Sequence, residues 1–221
     1  LWPTLLELPA KIQPRAVVAF TYADCDSLRR QSPGLKCYVA QFAIDPSLRK
    51  VKSGNTPVLD AVVVATNRAA TVNNCSTANV IIRALTLAGF SVAFLAETSR
   101  TALLSVIPPI ETTNSSVILH RVLHSVATSS VILCARENTP FLEGFLAEEL
   151  HYVAFDDAQD LVTKAAYLLQ NHALRNQLVA YATAHIKQHH TMVTRAAWIA
   201  HIGTQIIRDA QYDQPHLVFG N

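Results

Sequence analysis

Hydrophobic positions along the chain fall into two alternating rhythms. Short unbroken apolar runs, Val58–Thr66, Ser91–Ala96, Val131–Cys134 and His151–Phe155, have the length and β-branched content of buried strands. Between them lie stretches with apolar residues on one helical face: Ala78–Ala88, ended by Gly89, and Ser115–Val126 with Ile118, Leu119, Val122, Leu123 and Val126. After Phe155, Asp157 is suited to cap a helix whose buried face is Ala158, Leu161, Val162, Ala165, Leu168 and Leu169. Two more helices are expected over about 172–188 and 192–210, before a tail with Pro215. Ser99–Val106 reads as a short helix stopped by Pro108-Pro109, and Thr139-Pro140 reads as the start of another.

Upstream, residues 4–12 suit a short helix stopped before Pro14, Ala16–Phe20 a strand, Ser27–Arg30 a helical turn and Lys36–Ala43 a strand. Residues 44–56, with Asp45-Pro46 and Ser53-Gly54-Asn55, have the composition of a linker. The expected organisation is an N-terminal segment over 1–56, the remnant of a preceding domain plus linker, and a domain over 57–221. Repeated β-α-β units imply right-handed crossovers. The predicted fold class is therefore α/β: a three-layer, Rossmann-like parallel sheet with helices on both faces and extra C-terminal helices.

Composition narrows the partners. Half the residues are hydrophobic and 15% are charged, so a large core is available. A net charge of +2 without a Lys/Arg run argues against nucleic acid. No apolar run reaches the ~20 residues of a membrane span. Cys25, Cys37, Cys75 and Cys134 lie far apart and form no metal or disulfide framework, which favours a reducing, cytoplasmic setting. The chain begins at Leu1, as a processed protein or an excised fragment does.

Ligands of open parallel sheets bind at the carboxyl ends of the strands. The loops there are 66–77, 97–99, 107–115 and 135–139. The first carries Asn67 and Arg68 but no glycine, which excludes a dinucleotide fingerprint and a Walker loop. Arg136 and Glu137 follow the strand Val131–Cys134, and Asn138 completes that edge. His120 and His124 have the four-residue spacing of paired metal ligands but no local third ligand, and His185 and His189 repeat that spacing with His190 adjacent, at a helix end that accommodates histidines beside its terminal carbonyls. Glu143, Glu148 and Glu149 read as a solvated helix face.

A series of segments in the second half resembles the C-terminal, nucleotide-sugar-binding half of group 1 glycosyltransferases, in the spore-maturation-protein-like branch. The series is Arg121-Val122-Leu123-His124, Val131-Ile132-Leu133-Cys134, Phe141-Leu142-Glu143-Gly144-Phe145 and Tyr152-Val153-Ala154-Phe155-Asp156-Asp157. Asp160-Leu161 and His190-Thr191-Met192-Val193-Thr194-Arg195-Ala196 complete it. The resemblance implies a GT-B-type, metal-independent transferase without a cofactor, whose partner is a nucleotide-sugar. It also implies an acceptor-binding domain that is missing here or supplied by a partner chain. Donor-site residues implied on this basis are Asn67, Arg68, Arg121, His124, Arg136, Glu137 and Asn138. Arg68 or Arg136 would contact phosphate, and Glu137 or His124 the sugar or ribose. His124 stands where the family carries an acidic residue, so its motifs are degenerate, and a non-catalytic interaction or regulatory domain is the alternative expectation.

Overall fold

The structure, a computed structural model, describes residues 16–19, 22–39, 43, 59–64, 77–95, 102–109 and 115–212. The helix expected over 4–12 and the body of the linker over 44–56 lie outside these residues, as do Asn67 and Arg68. Among the described residues there are two sheets. A parallel pair, β1 (Ala16–Ala19) and β2 (Lys36–Val39), is joined by α1 (Tyr22–Gln31) over a small core of Ala19, Cys25 and Cys37. The main sheet has five parallel strands in the order β4-β3-β5-β6-β7. They are β3 (Leu59–Val64), β4 (Val92–Leu95), β5 (Ala102–Ile107), β6 (Val131–Ala135) and β7 (Val153–Phe155).

The connections are α2 (Thr77–Leu87), α3 (Ser115–Ala127) and, after β7, α4 (Ala158–Gln170), α5 (His172–His189) and α6 (Met192–Tyr212). Strand residues alternate between two cores. Leu104, Val106, Val131, Leu133 and Ala135 face α2 and α4 residues such as Ile81, Leu85, Leu161 and Leu168. Ile107, Ile132 and Cys134 face Ile118, Leu119 and Val122 of α3. Helix α5 closes both layers, with Leu178 in the first core and Ala182 and Ile186 in the second. This is the three-layer α/β fold that the hydrophobic rhythm predicts.

Within the sheet, one element differs from expectation. Residues 102–107 are not a helix but the central strand β5, hydrogen-bonded to β3 on one side and β6 on the other. A strand buried on both faces shows no period-2 alternation, so its apolar run carries no mark that separates it from a buried helix. The one polar residue facing inward, Ser105, is satisfied there by Ser125 at 2.6 Å, Oγ to Oγ.

Chain ends of helices follow local chemistry. Helix α2 closes with Phe90 N donating to Leu85 O and Gly89 N to Thr86 O, while Gly89 takes φ 87°. No atom lies within 4 Å of a Cβ placed on Gly89, so backbone conformation rather than space selects glycine there. At the start of α4, Asp157 Oδ1 accepts from Asp160 N at 2.8 Å, and Asp160 Oδ2 accepts from Asp156 N at 2.9 Å. Removing this cap in Asp157→Ala is expected to cost about 1 kcal/mol. A urea midpoint equal to that of the wild type would contradict the capping role. Helix α4 also protects the exposed edge of β7, because Lys164 Nζ donates to Ala154 O at 2.8 Å.

Candidate functional site

The strand order reverses between β3 and β5, since β4 follows β3 on one side and β5 lies on the other. Carboxyl ends of these strands therefore flank the crevice where open α/β sheets bind ligands. Pro108 and Pro109 continue β5 into that edge. From β6 the chain runs directly into a 3-10 helix, Arg136–Leu142, which replaces the α-helix expected from Thr139-Pro140. The Thr139 hydroxyl donates back to Arg136 O at 2.9 Å instead of capping forward. Glu143 and Glu149 lie in turns beyond it and Glu148 forms an isolated parallel bridge with Tyr152, none of them on a helix, and Glu149 takes φ 63°.

Asn138 is the buried polar residue of this edge. It is 2% exposed, and its Nδ2 donates to Pro108 O at 2.8 Å. A buried amide otherwise costs free energy, so this bond fixes the 3-10 helix against the end of β5. Helix α1 of the two-stranded unit packs on the same 3-10 segment.

Arg136 is exposed and occupied by acids: Nε donates to Asp156 Oδ1 at 2.9 Å, and Nη1 reaches both Glu148 oxygens at 2.6 and 2.7 Å. Its partners are thus Glu148 and Asp156, not the adjacent Glu137, and phosphate contact would require this network to open. The pairing comes from the turn that returns the chain to β7, 12 and 20 residues away, which no local pattern announces. Glu137 is exposed at the same edge.

Arg121 and His124 lie on α3, which runs antiparallel to the strands. Arg121 is 5% exposed, and burial pulls its guanidinium down to about 10, opposed by Cys134 on β6. Burial in turn pushes the Cys134 thiol up to about 12. Arg121 is therefore a cation held beneath the carboxyl half of β6. His124 sits in the last turn of α3. It lies about 13 Å along the helix axis from the N-terminal end that faces the crevice. Burial and His120 hold its pKa below the ordinary value, so it is neutral at pH 7. The structure therefore gathers Arg136, Glu137 and Asn138 at one edge, puts Arg121 beneath them, and separates His124 from the group. Among the described residues no cluster of three His, Cys, Asp or Glu is arranged to hold a metal.

Residues 83–200, just over half of the chain, match the glycosyl transferase-like family. No curated protein sequence matches significantly. Among solved structures, the fold is similar to sucrose-phosphate synthase from Thermosynechococcus elongatus, with TM-score 0.58 and 10% identity, over 89% of this chain and 59% of that one. A glycosyltransferase from Rickettsia africae ESF-5 gives TM-score 0.58 and 9% identity over 87% and 64%. TarM gives 0.56 and 11% over 90% and 45%. The chain thus spans less than two thirds of each of these structures. No helix among the described residues is long and apolar enough to cross a membrane.

Proposed function

Because the chain belongs to the glycosyl transferase-like family, we propose that it is the donor-binding part of a GT-B-type glycosyltransferase, holding a nucleotide-sugar at the carboxyl edge of its five-stranded sheet. The observation that carries this reading is the Asn138–Pro108 bond, which builds a fixed floor beside the strand-order reversal. Asn138 is a positioning residue in this scheme. Donor contacts come from Asn67 and Arg68 after β3, from Glu137, and from main-chain N–H groups at the N-terminus of α3. Arg121 adds a buried positive charge under the diphosphate, and with the α3 dipole it favours the leaving group without a metal ion. Arg136 orders the edge through Glu148 and Asp156, and His124 packs in α3. The acceptor is then bound by a further domain or a partner chain, in keeping with the 59% and 64% of the similar structures that this chain spans. Buried free thiols at Cys25, Cys37 and Cys134 suit a reducing, cytoplasmic setting.

Thermal denaturation with UDP-, GDP- and ADP-sugars tests the proposal. At tenfold saturation the correct donor stabilises by about 1.4 kcal/mol, which raises Tm by about 3–6 °C for a chain of this size. Asn138→Ala is expected to abolish that shift. No response to any donor would refute the reading and favour a non-catalytic interaction domain, the alternative suggested by a histidine in place of the family's acidic residue.

A further inference from the structure

The small parallel unit β1-α1-β2 brings two cysteines together. Cys25 lies on α1 and Cys37 on β2, and both are buried, at 1% and 8% exposure. With Ala19 they are the buried core of the unit, flanked by Leu28 and Leu35. Pairing of the strands sets Cys37 beside Val17, two residues before Ala19 and so on the same face. Arg29, one helical turn beyond Cys25, donates from Nη2 to Cys37 O at 3.1 Å, which fixes this face of α1 over β2. The Cys37 thiol is a hydrogen-bond neighbour of the Cys25 thiol.

A core of three small buried side chains stabilises its unit weakly, and units of that kind are where cross-links contribute most. We propose that Cys25 and Cys37 are a redox-active pair, free thiols in a reducing medium and an intramolecular disulfide in an oxidising one, which staples α1 onto β2. Because α1 also packs on the 3-10 helix Arg136–Leu142, the bond stiffens the element next to the carboxyl edge. The inference concerns the two thiols alone and does not rest on the donor-binding reading.

The oxidant is a low-molecular-weight disulfide such as glutathione disulfide. Cys37, the less buried of the two, attacks one of its sulfurs as thiolate when the unit opens locally, and one glutathione leaves. Cys25 then attacks the Cys37 sulfur of the mixed disulfide, and the second glutathione leaves. The two cysteines lose two electrons and two protons, and glutathione disulfide takes them up as two thiols. Burial first, and then the neighbouring Cys37, push the Cys25 thiol up to about 11, with Arg29 opposing. A thiol of that kind is a poor leaving group, so the bond, once formed, resists reduction at Cys25. Cys134 lies in the main sheet, away from the pair, and stays a thiol.

The full chain is equilibrated in buffers of glutathione and glutathione disulfide, from the reduced and the oxidised side, then alkylated and mapped by peptide mass spectrometry. A Cys25–Cys37 cross-link is expected, with an equilibrium constant at least about tenfold larger in the folded chain than in urea, since a fold that the bond stabilises must favour the bond equally. Amide hydrogen exchange in α1 is expected to slow by about 10- to 100-fold on oxidation. Cys37→Ser and, independently, Cys25→Ala are expected to abolish both the cross-link and the slowing. Thiols that stay free at a poise where the unfolded chain is half oxidised, a bond through Cys75 or Cys134 instead, or a cross-link that leaves α1 exchange unchanged would each overturn the proposal.

Discussion

Phe145→Ala is expected to destabilise the protein by about 3–5 kcal/mol, the cost of removing a buried aromatic ring together with the cavity it leaves. Phe145 is fully buried in the core formed by Leu119 and Val122 of α3, Leu142 and Tyr152, and Ala182 and Ile186 of α5. Gly144, at φ 69°, turns the chain so that the ring enters this core. The sheet on one side and two helices on the other leave little room for collapse, which places the cost at the upper part of the usual range. The loss also reaches the candidate site, because Phe145 N donates to Leu142 O at the end of the 3-10 helix that carries Asn138. Urea denaturation gives the free energy directly, and a change below that of an ordinary surface substitution would show that the ring is not packed as described.

Acidification is expected to produce the second large effect. His151, His185, His189 and His190 form a cluster in which His185 lies 4.5 Å from His151, 4.9 Å from His189 and 5.3 Å from His190, centroid to centroid. The Phe145 ring packs against His190 at a tilt of 52°, with centroids 4.2 Å apart. Arg195 Nη2 donates to His190 Nδ1 at 3.0 Å, so the proton of neutral His190 resides on Nε2, which faces His185 Nε2 at 3.4 Å. A proton added to His185 Nε2 would set two donors against each other. Burial, then Arg195 and the neighbouring His185 and His189, push His190 down to about 3, against a hydrogen bond with the Phe145 backbone. Burial, followed by a neighbouring histidine in each case, also lowers His185 and His151.

The folded pKa values lie below the unfolded value of about 6.5, so the unfolded chain binds more protons as pH falls. Stability is therefore fully present above pH 6.5 and is lost on descending toward 3. His190 alone removes about 2.5 kcal/mol between pH 7 and pH 4.5. Urea midpoints at the two pH values measure the loss. His190→Asn, which keeps an acceptor for Arg195, is expected to flatten the dependence, and an equally steep dependence in that variant would contradict the assignment. Phe145→Ala opens the cluster to water and is expected to raise the His190 pKa.

The same histidines illustrate what a linear reading can reach. Their spacing, with His185 and His189 on adjacent turns, is one that paired metal ligands share, and it does not reveal what surrounds the rings. Contacts from Phe145 and Arg195 instead pack the His190 ring in its neutral form. His124 poses the same problem at the candidate site. Its alignment with an acidic family position suggests a sugar contact, whereas the antiparallel course of α3 carries it away from the crevice. Arg136 was legible as a residue of the strand edge, but not as the partner of Glu148 and Asp156.

Sequence by itself determined the parallel α/β architecture, the span of most helices and strands, and the Asp157 cap, because these follow from contacts within a turn or from the alternation of buried faces. Tertiary structure decided that residues 102–107 form the central strand, that Asn138 closes on Pro108, and that Arg136 pairs with Glu148 and Asp156. Those outcomes depend on groups far apart in the chain. A short apolar run or an isolated charge has no local period that could encode them.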